Sequence, residues 1–313
     1  MGLLEQQKLD RAQTAFSTRF NGVLVGVDDP ARAVAMTIPS TTDTEEHDWL
    51  NAAPSLTEWV DERKIGKRRL EQIRIKNKDF ANGIRLKRND IVNDRIGVIG
   101  VQVDDLAEKA GLHYGDLTVQ ALIAGFILDG AFGNAYDGKA FFAVDHEDEA
   151  EGAQSNLSAG TALSQIAYDA ARATMQGLFD IAGDPLSIRP NFLIVGPTNE
   201  RLALEITQSN VIAGPAGESI TNVFRGTASV IISPRLVGAD AGTWFLADLS
   251  RAVRPIILQI REAITTAMLP ASGSPSDFSG SERLFMKKDL LFGAQGQHAV
   301  GFALWQFIHG GKP

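Results

Sequence analysis

The segment from Arg63 to Arg88 constrains this chain more than any other. It holds eleven basic residues against two acids, Glu71 and Asp79, a local net charge of +9 in a chain whose total is −8, so the remainder carries −17. Residues 70–88 also alternate apolar and polar, with Ile73 and Ile75, then Phe80, Ile84 and Leu86. Period two is the signature of a strand, and Asn77-Lys78 or Asn82-Gly83 can turn the chain. The pattern predicts a β-hairpin with its basic residues turned outward. Such a ribbon on an acidic body can be a solvated hairpin, a nucleic-acid contact, or a docking strip for an acidic surface on another copy of the chain. The acidic total argues against a general nucleic-acid binder.

Around the ribbon the pattern is α+β, not alternating βα units. Residues 1 to about 55 read as an extended, weakly patterned arm, broken at Asp28-Asp29-Pro30 and through the turn-rich stretch Thr37 to Asp43. From Gln102 to about Phe126 the period becomes helical, through Val103, Leu106, Ala110, Leu117, Ala121 and Ala124. Asp104 and Asp105 suit a first turn, and Gly111 and Gly115 cost about 1 kcal/mol each in mid-helix and suggest a bend. A second helix is predicted over Thr161 to Phe179, with Leu163, Ile166, Ala170 and Leu178 on one face. A third follows Gly196, with Pro197 in its first turn and Leu202 and Ile206 inward. Strands are predicted at 191–195, 228–232, 243–247, 255–260 and 299–308, and a flexible loop at 271–277.

No disulfide or thiolate chemistry is open to a chain without cysteine, which fits a reducing cytoplasm. The longest apolar stretch, Leu117 to Leu128, is too short to span a bilayer, and the first residues lack the pattern of a signal peptide. Gly133 to Lys139 has the G-x-x-x-x-G-K spacing of a phosphate loop. Ala140, however, stands where a magnesium-binding hydroxyl is needed, so a glycine-rich turn is the better reading. Asp145, Glu147, Asp148, Glu149 and Glu151 surround His146. Carboxylates suit calcium or magnesium, but the spacing matches no calcium loop, and a solvated acidic loop is the simpler account. No catalytic signature occurs.

Several segments together resemble the Mu-like phage major head subunit family. In order they are Leu56-Thr-Glu-Trp59-Val, Asn77-Lys-Asp-Phe80, Arg88-Asn-Asp-Ile-Val-Asn-Asp94, Tyr136-Asp-Gly-Lys-Ala-Phe-Phe142, His146 and Ser155-Asn156. Trp244-Phe-Leu-Ala-Asp248, Arg254-Pro-Ile-Ile-Leu-Gln259, Phe285 through Gly293, and Gly301-Phe-Ala-Leu-Trp305-Gln complete the series. The resemblance spans roughly residues 45 to 308, and is thinnest before 45 and between 209 and 225.

The resemblance implies the HK97-like phage capsid fold. On that reading 1–55 is an N-terminal arm, 56–94 an E-loop, and 95–183 a P domain with a spine helix at about 101–128. Residues 184–280 form an A domain, and 281–313 hold the returning P-domain strands and C-terminus. The implied function is that of the major capsid protein of a tailed bacteriophage or Mu-like prophage, self-assembling as hexamers and pentamers into an icosahedral shell around double-stranded DNA. An encapsulin-like nanocompartment shell is the alternative, and a metal-dependent enzyme a further one. No catalytic, cofactor or metal site is expected. The expected partners are other copies of the chain, a separate scaffolding protein, a portal, decoration proteins and non-specifically contacted DNA, with no membrane. Assembly would take place in the bacterial host cytoplasm and the product would be the virion capsid. Arg63, Lys67, Arg68, Arg69 and Arg88 are expected to steer the hairpin onto a neighbouring subunit, and Ile73, Ile75, Ile84 and Leu86 to hold it there.

Overall fold

The computed structural model describes residues 3–47, 73–92, 96–148, 152–180, 183–213, 218–269 and 289–313. Its frame is a four-stranded sheet in the order β1-β13-β14-β4, formed by Ala35–Pro39, Ile256–Leu269, Asp289–Phe302 and Lys78–Lys87 respectively. β13 and β14 are antiparallel along fourteen residues each, β1 lies parallel to β13, and β4 antiparallel to β14. A long helix, α3 (Ile96–Ala124), packs across this sheet. It starts earlier than the sequence suggests, so Asp104 and Asp105 are not in its first turn. They pair instead with Arg19 and with Lys109. Gly111 and Gly115 serve a crossing. The chain passes over the helix there, a side chain on Gly111 would collide with Val27, and the Gly115 N–H donates to Asp29 Oδ2 at 2.8 Å.

The N-terminal segment is not extended. Residues Leu3–Gly26 form helix α1, which lies against α3. Leu9, Ala12, Phe16 and Phe20 recur at helical spacing and are buried with Ile99, Val103 and Leu106 of α3 and Leu290 and Phe292 of β14. Phe16 and Phe20 meet the Phe292 ring edge to face, and Arg19 forms a bidentate pair with Asp104 at 2.5–2.6 Å. The sequence pattern is sparse, but the tertiary partner makes the helix worth forming.

The predicted hairpin is also corrected. Strand β3 (Ile73–Lys76) pairs with β2 (Thr44–His47), whereas β4 pairs with β14, so the chain changes partner at Asn77. Asn82-Gly83 lies within β4 and makes no turn.

A second sheet has the order β11-β8-β12-β15-β7, from Ser229–Ile232, Phe192–Val195, Trp244–Ala247, Ile308–Lys312 and Leu157–Ala159. The run read as one strand over 299–308 is therefore divided: β14 ends at Phe302, a 3-10 turn covers Trp305–Phe307, and β15 enters the second sheet. That sheet thus takes strands from before residue 184 and after residue 281, not only from between them. Helix α4 (Gln165–Gln176) starts after Ser164, whose hydroxyl accepts from the Ala167 N–H. It buries Ala167, Tyr168, Ala171 and Met175, one position round from the predicted face, and Ile166 is 83% exposed. Helix α5 (Glu200–Gln208) buries Ala203 and Ile206. Two small hairpins complete the fold: β5 (His146–Asp148) with β6 (Gly152–Gln154), and β9 (Val211–Ala213) with β10 (Ser219–Thr221). Among the described residues no helix is long and apolar enough to cross a membrane.

If α1 is held by its apolar face, Phe16→Ala will cost about 3–5 kcal/mol in urea unfolding. Arg19→Ala, at a half-exposed ion pair, will cost much less.

Candidate functional site: the root of the basic ribbon and the junction beneath it

The described chain leaves β2 at His47 and returns at Ile73, and both flanks are anchored by buried polar contacts. His47 Nε2 lies 3.0 Å from Gln259 Oε1, and Gln259 Nε2 donates to Asn77 Oδ1 at 2.8 Å. Asn77 Nδ2 in turn donates to Ser40 Oγ and the Thr42 carbonyl, each at 2.8 Å. Gln259 is fully buried in β13, and His47 and Asn77 are nearly so. A primary amide suits this position because it donates and accepts at once. Asn77 explains the change of strand partner, since its side chain bonds the 40–42 turn and its N–H the Asp43 carbonyl. Nearby, the N–H groups of Thr41 and Thr42 and the Ser40 hydroxyl converge on Glu45, holding its carboxyl down at about 2.

Four of the residues expected to hold a neighbour are already engaged at home. Ile73 and Ile75 of β3 are buried in the larger core, Leu86 is buried in the core under α1, and Ile84 packs against that core half-buried. Ile75 fits over Gly301, where a Cβ would lie 2.5 Å from its Cδ1. The inward half of the alternation is thus spent on the subunit's own core, because period two sends one set of side chains to each face. The outward set remains: Arg74, Lys76 and Arg85 are exposed, with acids at hand in Glu46 at 2.6 Å, Asp43 at 3.8 Å and Asp289 at 3.7 Å. Arg63, Lys67, Arg68 and Arg69 lie outside the described residues. Arg88 opens the short helix α2 (Arg88–Val92), and its side chain lies outside them too.

A second polar junction gathers residues that are scattered in sequence. His146, read as part of a solvated acidic run, is fully buried. Its Nδ1 is 2.6 Å from Asp137 Oδ2, its Nε2 is 3.2 Å from Asn156 Oδ1, and its ring stacks on Trp305 at 4.0 Å with planes 7° apart. Burial raises the Asp137 carboxyl, but the hydrogen bond and charge of His146 outweigh it and leave Asp137 below its ordinary range. Asn156 Nδ2 reaches the carbonyls of Phe141, Trp305 and Ile308 at 2.9–3.3 Å, tying three chain segments together. Asp145 and Glu147 face outward and share Lys139. Glu149 and Glu151 lie outside the described residues, and among the described ones no group of three or more His, Asp or Glu could hold a metal ion. Gly133 and Gly138 both take positive φ, 84° and 78°, as a turn requires.

Four of the segments carrying the sequence resemblance, 136–142, His146, 155–156 and 301–306, therefore converge on one buried point. Most of the chain, over residues 9–165, 154–236 and 235–313, matches the family described as Mu-like prophage major head subunit gpT. The chain belongs to the Mu-like prophage major head subunit family. The Mu-like prophage FluMu major head subunit of Haemophilus influenzae is 25% identical over 297 residues, covering 95% of this chain and 70% of that protein. The major capsid protein of Escherichia phage Mu is 22% identical over 296 residues, covering 94% and 70%. Among solved structures, the procapsid of bacteriophage JBD30 superposes with a TM-score of 0.57 at 24% identity, over 97% of this chain and 75% of that one. The fold is the HK97-like capsid fold, α+β as expected, and the chain is a major head subunit, the capsid protein of a tailed phage or Mu-like prophage.

The Gln259 contact at the ribbon root is open to test. Gln259→Ala removes the buried amide that meets His47 Nε2 and Asn77 Oδ1 and will lower unfolding free energy by about 1–3 kcal/mol. Glu147→Gln, at an exposed side chain, will leave the thermal midpoint nearly unchanged.

Proposed function

We propose that this head subunit assembles with copies of itself, as hexamers and pentamers, into a closed icosahedral shell around double-stranded DNA. The basic ribbon lies over an adjacent subunit. The observation that carries this is the combination of a braced root with an outward basic face: His47, Asn77 and Gln259 pin both flanks, while Arg74, Lys76 and Arg85 stay exposed. The rest of the chain carries −17, so an acidic partner surface comes with every further copy. Because Ile73, Ile75 and Leu86 are buried at home, the ribbon's pull on its neighbour is assigned to charge. Exposed ion pairs contribute about 0.2–1 kcal/mol each and weaken with salt, so the contact depends on many of them and on register.

The working division follows the resemblance: an arm over 1–55, an E-loop over 56–94, a P domain over 95–183 that contains α3, an A domain over 184–280, and the returning P-domain strands and C-terminus over 281–313. Strands β7 and β15 of the second sheet come from outside 184–280. The subunit acts as a structural protein, with no catalytic, cofactor or metal site of its own. It works with a separate scaffolding protein, a portal, decoration proteins and non-specifically contacted DNA. Assembly takes place in the bacterial host cytoplasm. The encapsulin-like reading has no specific observation in its favour.

Arg68→Glu combined with Arg69→Glu tests the ribbon. The expected result is a subunit with unchanged circular dichroism that forms few closed particles by electron microscopy. Normal shells with reduced DNA retention would instead assign the ribbon to the genome. Chelation with EDTA is expected to leave assembled particles intact. Dissolution reversed by calcium or magnesium, and mimicked by Asp148→Asn with Glu149→Gln, would make the acidic run a required metal site.

A further inference from the structure

The buried apolar residues fall into two separate cores. One, under α1, takes Leu106 and Ala107 from α3, Leu86 from β4, Met268 from β13 and Ala294 from β14. The other takes Tyr114 and Leu117 from α3, Ile256 and Leu258 from β13, and Ala299 and Val300 from β14. Each of the four elements that cross from one core to the other carries a glycine or a register shift at the crossing. α3 has Gly111 between them, and β4 has Asn82-Gly83. β14 has Gly293 and Gly296, and the β13 register shifts twice, between Ile260 and Glu262 and between Glu262 and Thr265. Gly83 and Gly293 face each other, and a Cβ on Gly293 would lie 2.8 Å from the Asn82 carbonyl oxygen. A cleft of about 230 Å³, open to solvent, lies along the crossing line, lined by Phe80, Leu106, Ala110, Ile264, Ala294 and the two histidines His113 and His298.

We propose that the contact between His113 and His298 is a latch between α3 and β14 at the larger core's edge of this line, closed when both imidazoles are neutral and opened by acid. Nε2 of His113 lies 2.9 Å from Nε2 of His298, joining α3 directly to β14. One ring donates and the other accepts, an arrangement open to two neutral rings or to a pair sharing one added proton. It is closed to two imidazolium ions, which have no acceptor nitrogen left. His298 is fully buried, stacks on Phe80 of β4 at 4.5 Å, and meets Tyr114 of α3 edge-on at 4.9 Å. The latch therefore joins three of the four crossing elements.

The charged groups around it do not rescue the charged form. Beside His113 on α3 stands Asp116, which favours protonation, but Arg235, from the turn after β11, pairs with Asp116 and opposes it. Lys109, at the cavity, is paired with Asp105. On β4, Lys78 is in register with His298 and its ammonium lies over the Phe132 ring, while Asp79 is in register with Gln297. On β13 the residue in register is Ile260, followed by Arg261 and Glu262, both exposed. Burial lowers His113, and burial together with His113 lowers His298 to about 4. For a histidine lowered by folding, the stabilisation is complete above its unfolded value of about 6.5 and is lost as pH falls below it toward the folded value. Acid thus loosens the contact between α3 and β14 at this edge of the larger core.

Hydrogen–deuterium exchange on the full chain tests this. Corrected for intrinsic rates, amides in 78–84 and 294–298 are expected to exchange about tenfold faster at about pH 5 than at about pH 7.5. In His113→Gln with His298→Gln that acceleration should vanish. No acceleration in the unmodified chain, or an equal one in the double variant, overturns the proposal. Should the variant fail to fold, an NMR titration of the unmodified chain decides: coupled titration of both rings below the ordinary range supports the latch, and independent titration near about 6.5 refutes it.

Discussion

Strands β13 and β14 run antiparallel from the Ile256–Phe302 pair to the Leu269–Leu291 pair, and β1, β4, α3 and α1 are laid against them. β1 and β4 extend the sheet on either side, α3 crosses it, and α1 covers its far end. The ladder does more than supply hydrogen bonds. It passes through both cores, it carries Gln259 to the root of the basic ribbon, and it carries His298 to the gap between the cores. A change in its twist would therefore be felt at the ribbon and under α1 alike, because packed interiors transmit small displacements instead of absorbing them.

A division of labour between apolar and charged side chains follows. The strands around the ribbon place their isoleucines and leucines inward and their arginines and lysines outward, so the subunit keeps its own fold while holding charge in reserve. The buried polar residues join segments far apart in sequence. Asn156 joins 141, 305 and 308, and Gln259 joins 47 and 77. Each costs desolvation that only well-made hydrogen bonds offset, and each in return fixes one register among several that the apolar pattern alone would permit.

The same distinction decides what could be read from the residues. β8 and β12 were legible because Phe192–Val195 and Trp244–Ala247 are short apolar runs, and α3 because its apolar positions follow a helical period. The two strands of the ribbon were legible from their alternation. Their partners were not, since alternation identifies a strand and says nothing about its neighbour, and β4 pairs with the distant residues 289–298. Helix α1 was missed because Leu9, Ala12, Phe16 and Phe20 are a thin stripe among polar residues, given value only by α3 and β14. His146 was misplaced because the carboxylates beside it suggest solvent, while the partners that bury it, Asp137, Asn156 and Trp305, are nowhere adjacent in sequence. The family resemblance supplied the fold that such local reading could not join together.

Three of these long pairings share a consequence for the order of folding. β1 needs β13, β4 needs β14, and β7 needs β15, so strands made early wait for partners among residues 256–312. Closing loops of that length is slow, and contacts of such separation form late. During synthesis the emerging chain therefore holds neither a completed ribbon root nor a completed second sheet until its last strands leave the ribosome. A nascent chain therefore cannot hold a braced ribbon root before residues 256–302 have been made, so that part of the fold waits on late synthesis whatever the speed of its local steps.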